Sequence, residues 1–270
     1  MKTNFGGNWE QIVLGLLQLR FMSPQRELGG AQSLAPLCIC FLSGTLLASG
    51  FPCGGLVMRQ FSGAAVVALL FFSCAQAFPP PEGFVSIFNG SDFAGWAGDL
   101  SHYEVKNGCI VCKPGKGGVV FTTRQYANFV ARVDYRLPTG GNNGLAIRYP
   151  GKGTASVDAM CEIQILDDTH PKYNKLDPRQ FNGSSYGIIA AKNGSGKPVG
   201  EWNTMEVTAK GSTLKVVLNG STILDGDVAT VREFMRKEPP KGLNNTTGHF
   251  GFCGHNDPVE FRNVYIKEIP

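Results

Sequence analysis

The stretch WNTMEVTAKGSTLKVVLNGS, residues 202–221, consists of two short runs of mixed apolar and polar residues. A Lys-Gly pair joins the runs and an Asn-Gly pair follows the second, and such pairs are typical of the tight turns of β-hairpins. About a dozen runs of this kind recur, with turn signals between them, over the last roughly 190 residues. This pattern predicts an all-β, antiparallel β-sandwich with at most one short helix, which we expect at Val228–Lys237.

The composition of the chain restricts the kind of partner that it binds. The 270 residues carry a formal net charge of +4, and the positive charges are scattered rather than clustered. Such a weak and dispersed charge argues against nucleic acid and against an anionic membrane surface as partners. Because 43% of the residues are hydrophobic, the chain has enough apolar material for a packed core.

Residues 58–77, MRQFSGAAVVALLFFSCAQA, have the pattern of a secretory signal peptide. A basic residue, Arg59, precedes an apolar run at 64–72, and small residues flank Gln76 at the end. The apolar run is about half the ~20 residues that a membrane-spanning helix needs, so we expect no stable membrane span. Cleavage after Ala77 would make the protein secreted or periplasmic; lipid attachment at Cys74 is the alternative.

The signal peptide defines the expected domain organisation. Since such peptides stand at the true start of a chain, residues 1–57 are interpreted as an unstructured upstream extension. Residues 78–82 form a proline-rich linker, and residues 83–270 form one β-sandwich domain without an internal repeat.

The stretch CEIQILDD, residues 161–168, places polar side chains within an apolar strand. Because strand residues alternate between faces, Glu162 and Gln164 share one face and Ile163 and Ile165 share the other. Two further strands carry specific polar residues. LAIRY places Arg148 opposite Ile147, and VEFRNVYI places Glu260 and Arg262 on one face with Phe261 and Asn263 on the other. These three strands can supply a carboxylate, an amide and guanidinium groups to one surface.

The spacing of Glu162, Gln164 and Asp167 resembles that of β-sandwich glucanases, with two differences. Glucanases use two carboxylates about 5–5.5 Å apart for retaining hydrolysis. Here the middle residue is an amide, and an offset of five points Asp167 to the other face of an unbulged strand. Glu162 can still serve as a general base, and His255, in a turn before the last strand, can serve as base, acid or metal ligand. A cation site of Asp167, Asp168 and His170 lacks any recognised metal spacing.

Eight segments resemble, in chain order, the 3-keto-disaccharide hydrolase domain family: GFVSIFNGSDFAGW, YEVKNGCIV, NNGLAIRY, CEIQILDD, SYGIIAAK, GEWNTMEV, LNGSTILD and GHNDPVEFRNVYIKEI. The resemblance extends over residues 83–269. It implies a concanavalin-A-like sandwich (jelly roll), exported by bacteria, that cleaves glycosides already oxidised at C3 of a sugar. It further implies an oxidised carbohydrate substrate and a functional link to a sugar 3-dehydrogenase.

The resemblance also implies roles for individual residues. The catalytic positions correspond to Glu162, His255 and Asp167, and the substrate-binding positions to Gln164, Arg148, Asn142, Tyr186 and Arg262. Glu162 and His255 are expected to be base and acid, in either order. The chain reads Cys253-Gly254-His255-Asn256 where many members read Gln-Asp-His-Gly, so its substrate or its need for a divalent cation can differ.

The sequence alone is therefore compatible with three functions. The first is cleavage of 3-keto-glycosides by removal of the C2 proton, elimination and hydration. The second is a non-catalytic, lectin-like carbohydrate-binding module, which needs no base. The third is a conventional retaining β-glucanase that uses Glu162 and Asp167.

Overall fold

A computed structural model describes residues 79–270, which form two antiparallel β-sheets packed face to face. The larger sheet contains β1 (Val85–Ser86), β3 (Tyr103–Lys106), β4 (Cys109–Cys112), β6 (Phe129–Arg136), β9 (Trp202–Lys210), β10 (Thr213–Leu218), β11 (Ser221–Asp227) and β13 (Glu260–Glu268). The smaller sheet contains β2 (Trp96–Gly98), β5 (Gly117–Tyr126), β7 (Asn142–Tyr149), β8 (Cys161–Leu166) and β12 (Gly248–His255). The predicted all-β sandwich is confirmed.

The strand order explains how the chain closes its core. The larger sheet runs β11-β10-β9-β6-β13-β4-β3, with β1 beside β13, and the smaller sheet runs β2-β5-β12-β7-β8. Alternate residues of each strand point inward, so the core contains Val133, Met205 and Val207 from the larger sheet and Leu145, Ile163, Phe250 and Phe252 from the smaller. Burial of this apolar surface stabilises the sandwich at roughly 25 cal/mol per Å².

The hairpins expected from residues 202–221 are present. Strand β10 pairs with β9 on one side and with β11 on the other, both antiparallel. Asn219 and Gly220 join β10 to β11 with φ of 50° and 86°. Two consecutive positive φ values are the requirement of a tight hairpin turn, and they explain the Asn-Gly pair.

The helix predicted at Val228–Lys237 is wrong. Only a single 3-10 turn, Val228–Thr230, forms there, capped by the Asp227 side chain. The following segment is held away from helical geometry because the Met235 N–H donates to the Gly187 carbonyl at 2.9 Å. The one α-helical turn in residues 79–270 is α1 (Ala155–Asp158), between β7 and β8.

Two predicted segments precede the part of the chain that the structure describes. The upstream extension at 1–57 and the signal peptide at 58–77 lie outside the described residues. Within residues 79–270, no helix is long and apolar enough to cross a membrane. Cys109, Cys112, Cys161 and Cys253 are all buried and are free thiols.

The outer face of the smaller sheet is the part of the fold that carries the candidate site. Strand β8 is its edge and directs Ile163 and Ile165 into the core, whereas Glu162 and Gln164 point outward. In register, Ala146 of β7 lies opposite Glu162, and Gly144 lies opposite Gln164. The outward positions of β7 next to the polar residues of β8 therefore carry very small side chains.

Candidate functional site

Glu162 is the buried carboxylate at the floor of the site. Its side chain is only 5% exposed, although it points to the outer face of the sheet. Gly144 provides the space for it, because a Cβ atom at residue 144 would lie 2.6 Å from the Glu162 Cγ. The Glu162 Oε1 atom is buried, and among the described residues it makes no hydrogen bond apart from a long 3.5 Å contact with His255 Nε2. A buried, incompletely partnered carboxylate is costly for the fold, and such groups concentrate at functional sites.

His255 lies over this carboxylate at the end of β12. Its Nε2 atom is 3.5 Å from Glu162 Oε1, and its side chain is 50% exposed. The Glu162 carboxylate raises the pKa of His255 above its ordinary value, an effect that burial opposes and Asp257 reinforces. The two residues therefore form a pair with a buried acidic member and a solvent-facing, more basic imidazole.

Gln164 continues the floor of the site beside Glu162. Its Nε2 group donates to Asn142 Oδ1 at 2.9 Å, which joins the edge strand to β7. Its Oε1 atom is buried without a hydrogen-bond partner among the described residues. Both predicted amide residues thus lie together on the outer face, next to Glu162.

Tyr186 is bound to strand β8 through its backbone. Its N–H donates to the Glu162 carbonyl at 2.8 Å, and its hydroxyl accepts from Gln180 Nε2 at 2.8 Å. The Arg236 guanidinium lies 5.8 Å from the centre of the Tyr186 ring. The tyrosine therefore belongs to the border of the site.

Asp167, directly after β8, is held by hydrogen bonds to two neighbouring loops. Its Oδ2 atom accepts from the Gly140 N–H at 2.7 Å, and its Oδ1 atom accepts from the Thr169 hydroxyl at 2.6 Å. The Asp167 N–H also donates to the Gly141 carbonyl at 2.9 Å. Asp167 thus connects the end of β8 to the loop that leads into β7.

Arg148 is buried away from the predicted site. Its φ of 52° accompanies a register shift where β12 pairs with β7, and this irregularity redirects the side chain. The guanidinium donates to the carbonyls of Ala127, Gly211 and Asn245 at 2.7–3.1 Å and is 1% exposed. In this position Arg148 links three loops and does not border Glu162, contrary to the assignment expected from the sequence.

Arg262 lies on the other sheet. It stands in β13, with its Nε 3.8 Å from Asp134 Oδ2 and its guanidinium 3.9 Å from the centre of the Trp202 ring. Asn263 also reaches Asp134, at 2.7 Å, because the strand is bulged there and Asn263 has a φ of 51°. The expectation that Asn263 shares a face with Phe261 is therefore wrong, and Arg262 does not join the Glu162 group.

The sequence did not predict three further polar residues as site residues: Lys172, Tyr173 and Asp257. Lys172 and Tyr173 form a 3-10 turn in which the Tyr173 hydroxyl donates to the Gly140 carbonyl at 3.1 Å. Tyr173 raises the pKa of Lys172, and Asp257 and Asp167 add to this rise. The segment PKYNK has no periodicity or motif that indicates a functional role. Asp257 has one sequence signal, which is its position two residues after His255.

No preformed metal site is found in the described part of the chain. Residues 79–270 contain no group of three or more His, Cys, Asp or Glu side chains placed to hold one ion. The cation site considered for His170 is not formed, because its Nδ1 accepts from the Lys172 N–H at 3.2 Å and Asp168 accepts from the Asn182 N–H.

Comparisons with known proteins identify a curated relative and solved structures with the same fold. A curated relative from Bacteroides thetaiotaomicron, named 3-keto-disaccharide hydrolase, is 28% identical over 285 aligned positions, covering 87% of this chain and 98% of its own. Two crystal structures from Parabacteroides distasonis, described as candidate glycosyl hydrolases, share the fold. At 24% identity each, they give TM-scores of 0.59 and 0.61, and the matches cover 70% and 69% of this chain and 95% and 99% of theirs.

The family comparison extends over most of the chain. Residues 83–267 match the model of a family described as the 3-keto-alpha-glucoside-1,2-lyase-like domain. This range contains Glu162, His255 and every other residue of the candidate site. The chain therefore belongs to the family of 3-keto-alpha-glucoside-1,2-lyase-like domains, as its motifs predict.

Proposed function

We propose that this protein is an enzyme that cleaves the glycosidic bond of 3-keto-glycosides. The observation that carries the proposal is the Glu162–His255 pair, in which a buried carboxylate oxygen lies 3.5 Å from a histidine nitrogen. Family membership and the name of the curated relative support the same substrate class. One base with one neighbouring acid suits an elimination, which does not need the two opposed carboxylates of a glucanase.

In the proposed reaction, Glu162 acts as the base. A ketone at C3 makes the proton on C2 acidic, so the carboxylate takes that proton and the C2–H electron pair forms an enolate. The enolate then expels the oxygen on C1, and this oxygen leaves with a proton as a free alcohol. The product on the sugar side is an enone. Addition of water to the enone, hydroxyl to C1 and proton to C2, gives the free 3-keto-sugar.

His255 supplies the acid in this scheme. The Glu162 carboxylate raises its pKa, which favours the protonated imidazole next to the base. A protonated imidazole can stabilise the developing enolate or protonate the departing oxygen. Gln164, whose amide nitrogen donates to Asn142 Oδ1, is proposed to position the substrate beside Glu162.

Two observations favour this scheme over the alternatives. Both carboxylate oxygens of Asp167 accept hydrogen bonds, from the Gly140 N–H and the Thr169 hydroxyl, so we assign Asp167 a structural role rather than that of a second catalytic carboxylate. A lectin-like module needs no acid–base pair, whereas a buried carboxylate beside a histidine is costly for stability.

The test compares three substrates. The purified protein is incubated with a 3-keto-disaccharide, the parent disaccharide and a β-glucan, with and without added divalent cations, and the released sugars are quantified. We expect turnover of the oxidised sugar alone, and its loss by a factor of about 10³ or more in Glu162→Gln. Glu201→Gln, at an exposed position, is the matched control. Failure to cleave the 3-keto-disaccharide under all conditions would refute the proposal.

The proposed substrate implies a preceding reaction. A 3-keto-glycoside arises when an oxidoreductase removes two electrons from the C3 hydroxyl of a glycoside, so we propose a sugar 3-dehydrogenase as functional partner. We also propose that the protein acts outside the cytoplasm, because residues 58–77 have the composition of a secretory signal peptide.

A further inference from the structure

A cavity lies beside Tyr186, the residue whose N–H donates to the Glu162 carbonyl. Its volume is about 260 Å³, and its walls come from α1, from the loop after β8 and from the segment 234–241. The residues that give it its apolar character are Val157, Tyr186, Phe234, Pro239 and Pro240, and Arg236 lies among them.

The cavity is connected to the catalytic strand through two elements. Tyr186, which lines the cavity, donates its N–H to the carbonyl of Glu162. Ser156, on another wall, follows Ala155, which packs with Ala146, and Ala146 lies opposite Glu162 in the sheet. Two walls of the cavity thus belong to segments that contact β8 or its neighbour β7 at the level of Glu162.

The walls of the cavity are fixed by hydrogen bonds that do not involve a ligand. The Met235 N–H donates to the Gly187 carbonyl at 2.9 Å, which anchors the segment that carries Phe234. Arg236 donates to the Ser156 hydroxyl at 3.3 Å, and Gln180 holds the Tyr186 hydroxyl at 2.8 Å. These polar groups already have partners, and two further charged residues, Glu238 and Lys241, also line the cavity. The rest of the lining consists mainly of apolar and proline side chains.

We propose that this cavity binds the leaving group of the substrate and that it favours a flat, apolar ring there over a small alkyl group. This inference rests on the proposed function. An apolar cavity of about 150 Å³ is enough to bind benzene, so the volume here suits an aromatic ring and its linking atoms. Tyr186 and Phe234 line the cavity, and aromatic rings interact favourably with one another in offset-stacked or edge-to-face arrangements.

The decisive experiment uses two substrates that differ in the ring alone. Benzyl and methyl 3-keto-glucosides of one anomer release alcohols of similar acidity, so a difference in kcat/KM reports binding and not leaving-group chemistry. We expect the native protein to prefer the benzyl substrate. We expect Phe234→Ala to lower the benzyl-to-methyl ratio of kcat/KM roughly tenfold.

Two further variants make this test independent of misfolding. Val157→Phe fills the cavity from another wall and should lower the same ratio, whereas Val85→Ala, at an exposed position of β1, should leave it unchanged. Equal kcat/KM for the two substrates in the native protein would overturn the inference, as would a ratio that neither cavity variant changes.

A binding measurement separates failure of this inference from failure of the proposed function. Saturation-transfer NMR with benzyl alcohol needs no turnover, and we expect a signal with the native protein that Val157→Phe abolishes. If neither glucoside is cleaved, the proposed function fails, and the benzyl alcohol signal still decides whether the cavity binds an aromatic ring. Absence of that signal in the native protein would overturn the cavity assignment.

Discussion

Gly144 of β7 borders the carboxylate of Glu162 so closely that a Cβ atom at residue 144 would lie 2.6 Å from Glu162 Cγ. We therefore expect Gly144→Ala to displace the carboxylate by about 1 Å, because the same Cβ atom would lie only 2.2 Å from Glu162 Oε1. A misplacement of this order can reduce kcat by about 10²-fold, and crowding of the packed site should destabilise the fold by about 1–3 kcal/mol.

The prediction for Gly144 is checked by steady-state kinetics and urea unfolding. Gly196→Ala is the matched control, because the closest atom to its added Cβ would be 3.9 Å away, on Asn182. Both kcat and stability of the control should stay close to the native values. Native-like kcat in Gly144→Ala would mean that the position of Glu162 is not critical for the reaction.

The Glu162–His255 pair predicts a specific dependence of stability on pH. A histidine whose folded-state pKa lies above its unfolded value of 6.5 stabilises the folded protein below that value. This stabilisation disappears as the pH rises through the folded-state pKa. The stability advantage of the native protein over His255→Gln should therefore be largest below about pH 6.5 and should decrease at higher pH.

The pKa of His255 can also be measured directly. NMR titration of its imidazole should give a value above 6.5, and Glu162→Gln should lower it because the main cause of the rise is removed. If His255 is the acid of the reaction, the alkaline limb of the pH dependence of kcat/KM should follow the same pKa and should vanish in His255→Gln. An unchanged His255 pKa in Glu162→Gln would contradict the pairing.

Arg148 should contribute to stability rather than to substrate binding. Three backbone carbonyls lose a charged donor in Arg148→Met, so we expect a loss of about 3 kcal/mol or more in the free energy of unfolding. Among molecules that remain folded, KM should change by less than about threefold. The comparison variant Arg262→Met removes a half-exposed guanidinium from the Trp202 ring and should cost only about 0.5–1 kcal/mol.

The rule that strand side chains alternate between faces gave correct predictions only where the strand is regular. Regular alternation correctly placed Glu162 and Gln164 on one face of β8, because this strand has no bulge. The same rule failed for Arg148 and Asn263, since each adopts a positive φ at an irregular position that breaks the period of two.

The features that the sequence did not predict depend on contacts between segments that are distant along the chain. Lys172 and most residues that line the cavity beside Tyr186 lie outside the strands, in segments that carry no periodic signal in the sequence. The segment 228–237 has a plausible helical composition, yet a backbone hydrogen bond from Met235 to Gly187 holds it in another conformation. Tertiary contacts of this kind override local propensity.

The start of the mature chain is a separate prediction. Residues 58–77 have the order of regions that signal peptidase recognises, with Ala75 and Ala77 before the cleavage point. We expect protein from its native source to begin at Phe78. N-terminal sequencing decides, and Ala77→Tyr, which removes the small residue at the cleavage point, should block processing. A mature chain that begins before Met58 would contradict the interpretation of residues 1–57.

Substitutions of Asp167 test whether this aspartate is structural or is a second catalytic carboxylate. Its side chain accepts hydrogen bonds from the Gly140 N–H and the Thr169 hydroxyl, and the loop that it holds leads directly to Asn142, the partner of Gln164. Asp167→Asn keeps one acceptor oxygen, so we expect kcat/KM to fall by less than about tenfold. Asp167→Ala removes both acceptors and should raise KM further by loosening Asn142, with kcat less affected. A loss of about 10³-fold in Asp167→Asn, as large as that expected for Glu162→Gln, would instead return the reaction to a two-carboxylate mechanism.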